Sequence, residues 1–305
     1  MFLIEKYRSP FVVAKKPNPS LPLAIPFEKT LASRLRSLLP IPSSPSPSIP
    51  LSWLSRLADL LALTLTDFAA LASDPSSPDL SAVASYLDSG VALLDSCNAI
   101  AAGLDKLLRR RLHLRLALHH LSRPDPGRAR DAIAEWDRFP RGDIAIRGNA
   151  LEDPPRGKIS GVRRAIYAVE AVSRLVATAI VAVLGGGKKE SFAEIRVSGE
   201  FTWAEEFNKV GEEISSKLGE GFVSEVERVD HAVRRLMSIT DVVNDDDGKK
   251  TEKVRSSTEE VEKLTEEMTE GLERLSDAVN GVFRSALSSR NAALQSFRVG
   301  PRKCK

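Results

Sequence analysis

The sequence has few of the residues that stabilise small secreted modules and β folds. Among its 305 residues are two cysteines, Cys97 and Cys304, and 6% aromatic residues. Two cysteines cannot build the disulfide framework of a secreted module, so a reducing compartment, the cytoplasm, is expected. The abundant Leu, Ala, Glu and Arg favour helices, whereas strands prefer β-branched and aromatic side chains.

No excess of one charge marks the chain as a nucleic-acid binder. The 44 lysines and arginines nearly balance 41 aspartates and glutamates, which leaves a formal net charge of +3. Binding to a polyanion by counterion release needs a concentrated basic face. The densest basic cluster comprises Lys106, Arg109–Arg111 and Arg115. Successive helical residues point about 100° apart, so we expect solvated charges here, a phosphate contact being the weaker alternative, and no nucleic-acid partner.

Motifs that hold metals, phosphates or cofactors are missing. His113, His119 and His120 lie close together in the sequence, but no HExxH or CxxC spacing accompanies them. The Gly185–Lys188 run lacks the first glycine and the final hydroxyl residue of a phosphate-binding loop, and it fits the end of a helix. The sequence therefore predicts no metal-binding and no cofactor-binding residues, and hence no cofactor.

The window from Ser85 to Ile100 contains the residues that come nearest to a catalytic pattern. On a helix, Asp88 and Asp95 are a heptad apart, about 10 Å along the axis, on a face that we expect to be solvated. Cys97 has no activating base at a recognisable spacing and shares a face with apolar residues, so it is predicted to be a buried structural residue. No catalytic residues are assigned, and a non-enzymatic protein is expected.

Proline is concentrated at the beginning of the chain. Ten of the 18 prolines lie in residues 1–50. This segment is predicted to be a disordered Pro/Ser-rich arm with one short helix near Phe27–Leu39. Because Glu5 and Glu28 are its only acidic residues, the arm also weakly resembles a chloroplast transit peptide, which makes the chloroplast an alternative compartment.

From residue 51 to 300 the pattern predicts a single all-α domain, an elongated bundle of long antiparallel helices. No proline occurs between Arg156 and Gly300, and apolar residues recur at three- and four-residue spacing. Helices are predicted over residues 50–73, 79–121, 127–139 and 160–184, with a long loop at 140–159.

Residues 202–297 are predicted to form a helical hairpin of coiled-coil type. A Thr202–Glu205 capping box would begin its first arm, and an acidic turn at Asn244–Gly248 would separate two apolar stripes of similar length. Seven glutamates between residues 259 and 273 would repel one another, so the stripe around Leu272 must hold the second arm in place.

The longest apolar run, Leu175–Leu184, spans about 15 Å, half of a hydrocarbon core. A buried core helix is the favoured interpretation. Peripheral contact with a membrane surface remains the alternative.

Several segments together resemble the plant BYPASS family. They occur in order over residues 50–297. The matching segments are Tyr86-Leu87-Asp88, Leu93-Leu94-Asp95, Cys97-Asn98-Ala99, Leu116-Ala117-Leu118-His119, Val197-Ser198, Trp203-Ala204 with Phe207, and Leu287–Arg290 with Leu294.

The resemblance implies a plant developmental regulator, in a family linked to restraining a root-derived mobile signal that arrests shoot growth. It supplies no catalytic residues. A helical scaffold with an unidentified protein partner is the leading hypothesis. The alternatives are a carrier or enzyme for a small apolar signal molecule and an exocyst-linked trafficking adaptor. An exposed apolar groove would favour the scaffold, and a closed apolar pocket with a few polar groups would favour the carrier.

Overall fold

The computed structural model describes residues 21–42, 48–73, 79–121, 126–138, 144, 146, 160–185, 192, 195–219, 221–241 and 248–298. Within these ranges the chain is an all-α helical bundle with eight helices and no strand, which confirms the predicted fold class. The helices are α1 (Leu21–Ser37), α2 (Leu51–Ala72), α3 (Leu80–Leu121), α4 (Pro126–Arg138), α5 (Gly161–Leu184), α6 (Ala204–Lys217), α7 (Glu225–Asp241) and α8 (Gly248–Arg298).

Helices α2 to α5 begin and end close to the predicted residues. Ser160 caps α5 because its hydroxyl accepts a hydrogen bond from the backbone N–H of Arg163. The same hydroxyl donates to Asp79, which also pairs with the Arg163 side chain and so joins the starts of α3 and α5. Of the predicted loop at 140–159, only Ile144 and Ile146 lie within the described residues.

Two long helices, α3 and α8, form the antiparallel backbone of the bundle. Their 42 and 51 residues correspond to about 63 and 77 Å. Tyr86 is hydrogen-bonded to Ser289, whereas Arg111, further along α3, pairs with Glu273, which comes earlier in α8. The two helices therefore run in opposite directions. Helix α2 packs along α8, α5 covers α2 and α3, and α4 lies against α3.

The predicted hairpin at 202–297 is wrong in its first arm. The chain leaves the helix between Lys217 and Glu225, so this arm is two helices, α6 and α7. Helix α7 packs against α8, and Arg235 of α7 pairs with Glu260 of α8. Helix α6 packs against α1 instead. The hydrophobic period continued through the break, which is why the sequence suggested one helix.

The predicted Thr202–Glu205 capping box does not form. Helix α6 starts at Ala204, its N-cap residue is Trp203, and no side chain caps it. The backbone N–H of Thr202 donates instead to the carboxylate of Glu28, 3.0 Å away, and Glu205 pairs with Lys209. A long-range carboxylate thus takes the place of the local cap.

Residues 1–50 were predicted to be a disordered arm with one short helix near Phe27–Leu39, and this helix is present as α1. Disorder is wrong for Ile41, Ser48 and Ile49, which are buried. Helix α1 lies at the predicted place, and its apolar face belongs to the core together with Ile41 and Ile49. The carboxylate of Glu28 is 2% exposed and accepts hydrogen bonds from Arg164 of α5. The proline content indicated disorder, but the prolines leave an amphipathic stretch, α1, that is long enough to pack on the core. Residues 1–20 lie outside the described residues.

Candidate functional site

The basic cluster on α3 is divided among different partners. Arg109 pairs with Asp105 on its own helix, Arg110 with Asp230, Arg111 with Glu273 and Arg115 with Glu266. These four guanidinium groups are therefore matched by carboxylates and do not converge on one point, which argues against a phosphate site. Glu266 and Glu273 of α8 pair with arginines of α3, and Glu260 pairs with Arg235 of α7. Three further glutamates of α8 pair with basic residues of the same helix, so ion pairs offset the predicted repulsion.

Arg110 and Asp230 form a buried ion pair at the junction of α3, α4 and α7. The two residues are 7% and 1% exposed, and their nearest atoms are 3.0 Å apart. The guanidinium also donates to the backbone oxygen of Trp136 and lies 3.9 Å from the centre of its indole ring. A planar guanidinium can donate to two acceptors and stack on a ring at once, which the ammonium group of lysine cannot do. The arrangement holds three helices together and leaves no open face for a ligand.

The residues of the Ser85–Ile100 window lie as predicted. Asp88 and Asp95 are exposed, and Cys97 is 5% exposed among apolar side chains. Burial raises the pKa of the Cys97 thiol to about 11, so the thiol is protonated at neutral pH. Burial likewise raises the pKa of the Tyr86 hydroxyl. Neither group is poised for nucleophilic chemistry at neutral pH. Within the described ranges, no three His, Cys, Asp or Glu side chains gather to hold a metal ion.

A shallow crevice lies between α2, α3, α5 and α8 beside Cys97. The space that it encloses is about 20 Å³, room for roughly one water molecule, and its walls include Leu61, Leu93 and Ile180. The hydroxyl oxygen of Ser173 is buried at this crevice without a hydrogen-bond partner. Ligand pockets usually measure about 300–1,000 Å³, so the crevice is small for a carrier.

Helix α5 contains the apolar run that raised the question of membrane contact. By length and composition, its most apolar 18-residue window could cross a membrane. However, 67% of that window is buried inside the fold, which favours a core helix. Gly185, the first glycine of the Gly185–Lys188 run, caps α5 at its C-terminus, because its backbone N–H donates a hydrogen bond to the backbone oxygen of Val181. The other three residues of the run lie outside the described residues.

A stripe of apolar side chains on α8 borders α3. Leu287, Arg290 and Leu294 are three and four residues apart and so share one flank of α8. Arg290 donates to the backbone oxygen of Leu87, 3.0 Å away, which places this flank beside α3. Leu287 and Leu294 are 39% and 40% exposed, and Phe283 on the same flank is half-buried.

A second apolar stripe runs along the neighbouring flank of α3. Leu80 and Val91 are 42% and 44% exposed, and Leu87 and Leu94 between them are half-buried against the core. We call the two stripes together the α3–α8 seam. It consists of Leu80, Leu87, Val91 and Leu94 of α3 and Phe283, Leu287 and Leu294 of α8. The half-buried Arg290, held by the backbone oxygen of Leu87, lies between Leu287 and Leu294. Contiguous exposed apolar side chains of this kind usually mark an interaction surface.

The seam cannot be recognised from the sequence, because its leucines continue the same helical period as the core residues. Leu287 and Leu294 fall within the second apolar stripe of the predicted hairpin, which the sequence predicts to be buried, and only the position of α3 shows that they lie at the edge of that stripe. The available signal for the seam was the width of the apolar stripe, which is greater than packing against one neighbouring helix requires.

The fold and the seam define an all-α helical-bundle protein with an apolar surface between its two longest helices. A family model described as Protein ROH1-like matches residues 143–297. The chain belongs to this family, and the resemblance to the BYPASS family is confirmed.

Relatives in rice and Arabidopsis match over most of the chain. The rice UPF0496 protein 4 is 31% identical over 245 residues in Oryza sativa subsp. indica and 32% identical over 243 residues in subsp. japonica. These matches cover 69% of this chain and 52% of each rice protein, so the chain spans about half the length of the rice relatives. The Arabidopsis thaliana Protein BPS1, chloroplastic is 26% identical over 307 residues, covering 91% of this chain and 84% of that protein. No solved structure matches the chain.

Proposed function

We propose that the chain is a non-enzymatic plant developmental regulator that acts as a helical interaction protein and binds a protein partner through the α3–α8 seam. Membership of the BYPASS-type family supports the developmental part of the proposal. The observation that carries the interaction part is the seam itself, because four of its side chains are about two-fifths exposed on neighbouring flanks of two rigid helices.

The proposed platform is one helical domain over residues 51–300, to which α1 adds a further helix. The buried apolar residues from α1 to α8 belong to one cluster, which supports treating them as a unit. A rigid unit of this kind presents the seam without the entropic cost of ordering a flexible segment on binding.

Comparative affinity purification from plant tissue tests the interaction. The bait is the full chain, and the test variant is Leu287→Glu/Leu294→Glu, which places two carboxylates in the seam. Leu63→Glu is the matched control, because Leu63 is a 49% exposed leucine on α2, away from the seam. We expect the seam variant to lose proteins that the wild type and the Leu63→Glu chain both retain. If all three baits retain the same proteins, the seam is not the interaction surface.

A carrier for a small apolar molecule is the second candidate, and the unpartnered hydroxyl of Ser173 at the crevice beside Cys97 is the observation that favours it. Ser173 would offer one hydroxyl to a bound molecule inside otherwise apolar walls. Calorimetric titration with small apolar alcohols tests this function, with Ala177→Leu as the variant that fills the mouth of the crevice. Binding that Ala177→Leu abolishes would favour the carrier; binding that it leaves unchanged would exclude this crevice.

The compartment is a proposal as well. The cytoplasm is expected from the low cysteine content, whereas the name of the Arabidopsis relative supports the chloroplast. An import assay with isolated chloroplasts, followed by protease treatment, separates the two compartments, since only imported protein resists the protease.

A further inference from the structure

The exposed residues of the seam lie at matching levels on its two helices. Tyr86 is level with Ser289, to which it is hydrogen-bonded. Because α3 and α8 are antiparallel, each residue forward along α3 is matched by one residue backward along α8. This register places Leu80 level with Leu294, Leu87 with Leu287 and Val91 with Phe283, each within about one residue, or 1.5 Å.

The charges that border the seam differ between its two helices. Asp88 and Asp95 are exposed on the border of α3 that faces away from α8. Arg284 is exposed on the border of α8 that faces away from α3, and in the same register it lies between the levels of the two aspartates. Among the described residues, no ion pair joins any of these three side chains to a partner. The seam is therefore an apolar strip with an acidic edge and a basic edge.

We propose that the seam binds a second copy of this chain and that the chain is a two-fold symmetric dimer. This inference rests on the proposed function, because it names the occupant of the same surface. A two-fold axis parallel to the helices brings α3 of one protomer against α8 of its partner at equal levels. Leu80 then meets the partner's Leu294, Leu87 meets the partner's Leu287, and Val91 meets the partner's Phe283.

The same symmetry matches the charged edges. Arg284 of each protomer faces the gap between the partner's Asp88 and the partner's Asp95, so unlike charges meet on both sides of the apolar strip. The four helices α3 and α8 of the two copies would form an antiparallel bundle. A non-symmetric partner would have no reason to match both rows of side chains and both edges at once.

The size of the seam agrees with a dimer of moderate affinity. It extends over 15 residues of α3, Leu80 to Leu94, or about 21 Å along the axis. Two helices side by side, each about 10 Å wide, then give roughly 400 Å² of apolar face. Stable interfaces bury about 800 Å² per partner. The apolar strip supplies about half of this area, and its polar borders would supply a rim.

Sedimentation equilibrium of the purified full chain between about 1 and 100 µM tests the proposal. We expect a concentration-dependent dimer for the wild type and for Leu63→Glu. Leu287→Glu should weaken the dimer at least about thirty-fold, the scale of an interface hot spot. Circular dichroism of the variant must show wild-type helicity, so that the loss reflects the interface and not unfolding.

A charge exchange tests the orientation of the two copies. Arg284→Glu and Asp88→Lys/Asp95→Lys each place like charges opposite one another, and each chain alone should dimerise about ten-fold more weakly. An equimolar mixture should recover the lost affinity as a heterodimer, because each edge then meets its opposite charge. A mixture that dimerises no better than its components would overturn the proposed geometry.

The outcomes distinguish the dimer from the proposed function. A wild-type chain that stays monomeric at 100 µM overturns the second copy as the occupant. If the seam variant nevertheless loses proteins in the tissue purification, an amphipathic helix of another protein occupies the seam and the proposed function stands. If the wild-type chain is monomeric and the seam variant also retains every protein in the tissue purification, both the dimer and the proposed function are overturned.

Discussion

Cys97 shows how burial controls reactivity at the scale of one residue. Apolar side chains surround its thiol and raise the thiol pKa from the ordinary value of 9.0 to about 11. We expect the thiol to react with a maleimide at pH 8 at least about 100-fold more slowly in the native chain than in denaturant, because the thiolate fraction falls ten-fold per pKa unit. A Cys304→Ser background isolates Cys97, since Cys304 lies outside the described residues. Equal rates in both states would mean that Cys97 is accessible.

The same shift predicts a pH dependence of stability. The folded state holds the thiol proton more tightly than the unfolded state, so the contribution of Cys97 is fully present below pH 9 and is lost as the pH rises through about 11. Other groups titrate in this range as well. We therefore expect the free energy of unfolding to fall less steeply between pH 9 and 11 in Cys97→Ala than in the wild type, as measured by urea denaturation. Curves of unfolding free energy against pH that run parallel in the two chains would show that Cys97 is not the cause of the steeper fall.

Arg110 and its neighbour Arg109 allow a buried ion pair to be compared with an exposed one, because Arg110 pairs with Asp230 and Arg109 pairs with Asp105. Removing one partner of a buried pair typically costs about 3–5 kcal/mol, because the remaining charge is left without compensation. We expect Arg110→Met to destabilise the chain by this amount, since Asp230 is 1% exposed. Arg109→Met should cost less than about 1 kcal/mol, because its partner Asp105 is more than half exposed. Urea denaturation of the two variants measures the difference. Equal losses of unfolding free energy would show that burial does not make the Arg110–Asp230 pair more important than the exposed pair.

At the scale of an element, α1 depends on one buried carboxylate. Glu28 accepts hydrogen bonds from Arg164 and from the backbone of Thr202, so it joins α1 to α5 and to the start of α6. We expect Glu28→Ala to expose α1 to protease cleavage and to faster hydrogen exchange, because Arg164 loses its partner. Lys29→Ala, an exposed neighbour on the same turn, is the control and should leave both rates unchanged. Protection of α1 in Glu28→Ala would mean that apolar contacts alone hold it.

Two glycines of α8 allow the effect of helix propensity on stability to be measured apart from the effect of packing. A Cβ at Gly271 would lie 2.9 Å from the side chain of Leu51, whereas a Cβ at Gly281 meets nothing within 4 Å. We expect Gly281→Ala to stabilise the chain by about 0.5–1 kcal/mol, because alanine is the better helix former. Gly271→Ala should destabilise it by about 1–3 kcal/mol through overpacking. Thermal and urea denaturation give both values, and a gain at both positions would show that α2 can move away from α8.

The elements that the sequence predicted well are those with strong local signals. Helices α2 and α5 have clear starts, a proline before Leu51 and a capping serine at 160, and a continuous apolar face. Leu272 was expected in the core and is fully buried. Local propensity and tertiary packing agree in these segments, so a single sequence is enough to place them.

The elements that the sequence predicted poorly depend on contacts between distant residues. Glu28 and Arg164 are 136 residues apart, and no local pattern indicates their pairing, so the sequence predicts the short helix but not its docking on the core. The glutamates of α8 were expected to repel one another because the arginines of α3 and α7 are distant in sequence. The seam could not be recognised for the same reason, since it exists only where α3 lies beside α8.

At the scale of the whole molecule, the bundle buries most of its apolar residues in one cluster but leaves the seam open. The cluster extends from α1 to α8, and ion pairs such as Arg111–Glu273 tie the outer surfaces of neighbouring helices together. An isolated monomer would leave the seam leucines in water. Association through the seam removes them from water, and it therefore couples the stability of the fold to the concentration of the chain.

This coupling predicts a melting temperature that depends on protein concentration. A dimer that dissociates on unfolding gains about 2.7 kcal/mol of stability for a hundred-fold rise in concentration, about half of it per chain. For a domain of this size 1 kcal/mol corresponds to roughly 2–4 °C, so we expect the wild-type melting temperature to rise by about 2–5 °C between 1 and 100 µM. Leu287→Glu should melt at a temperature independent of concentration, whereas Leu63→Glu should behave as the wild type. A wild-type melting temperature that stays constant over this range would show that the folded chain is stable without a second copy on its seam.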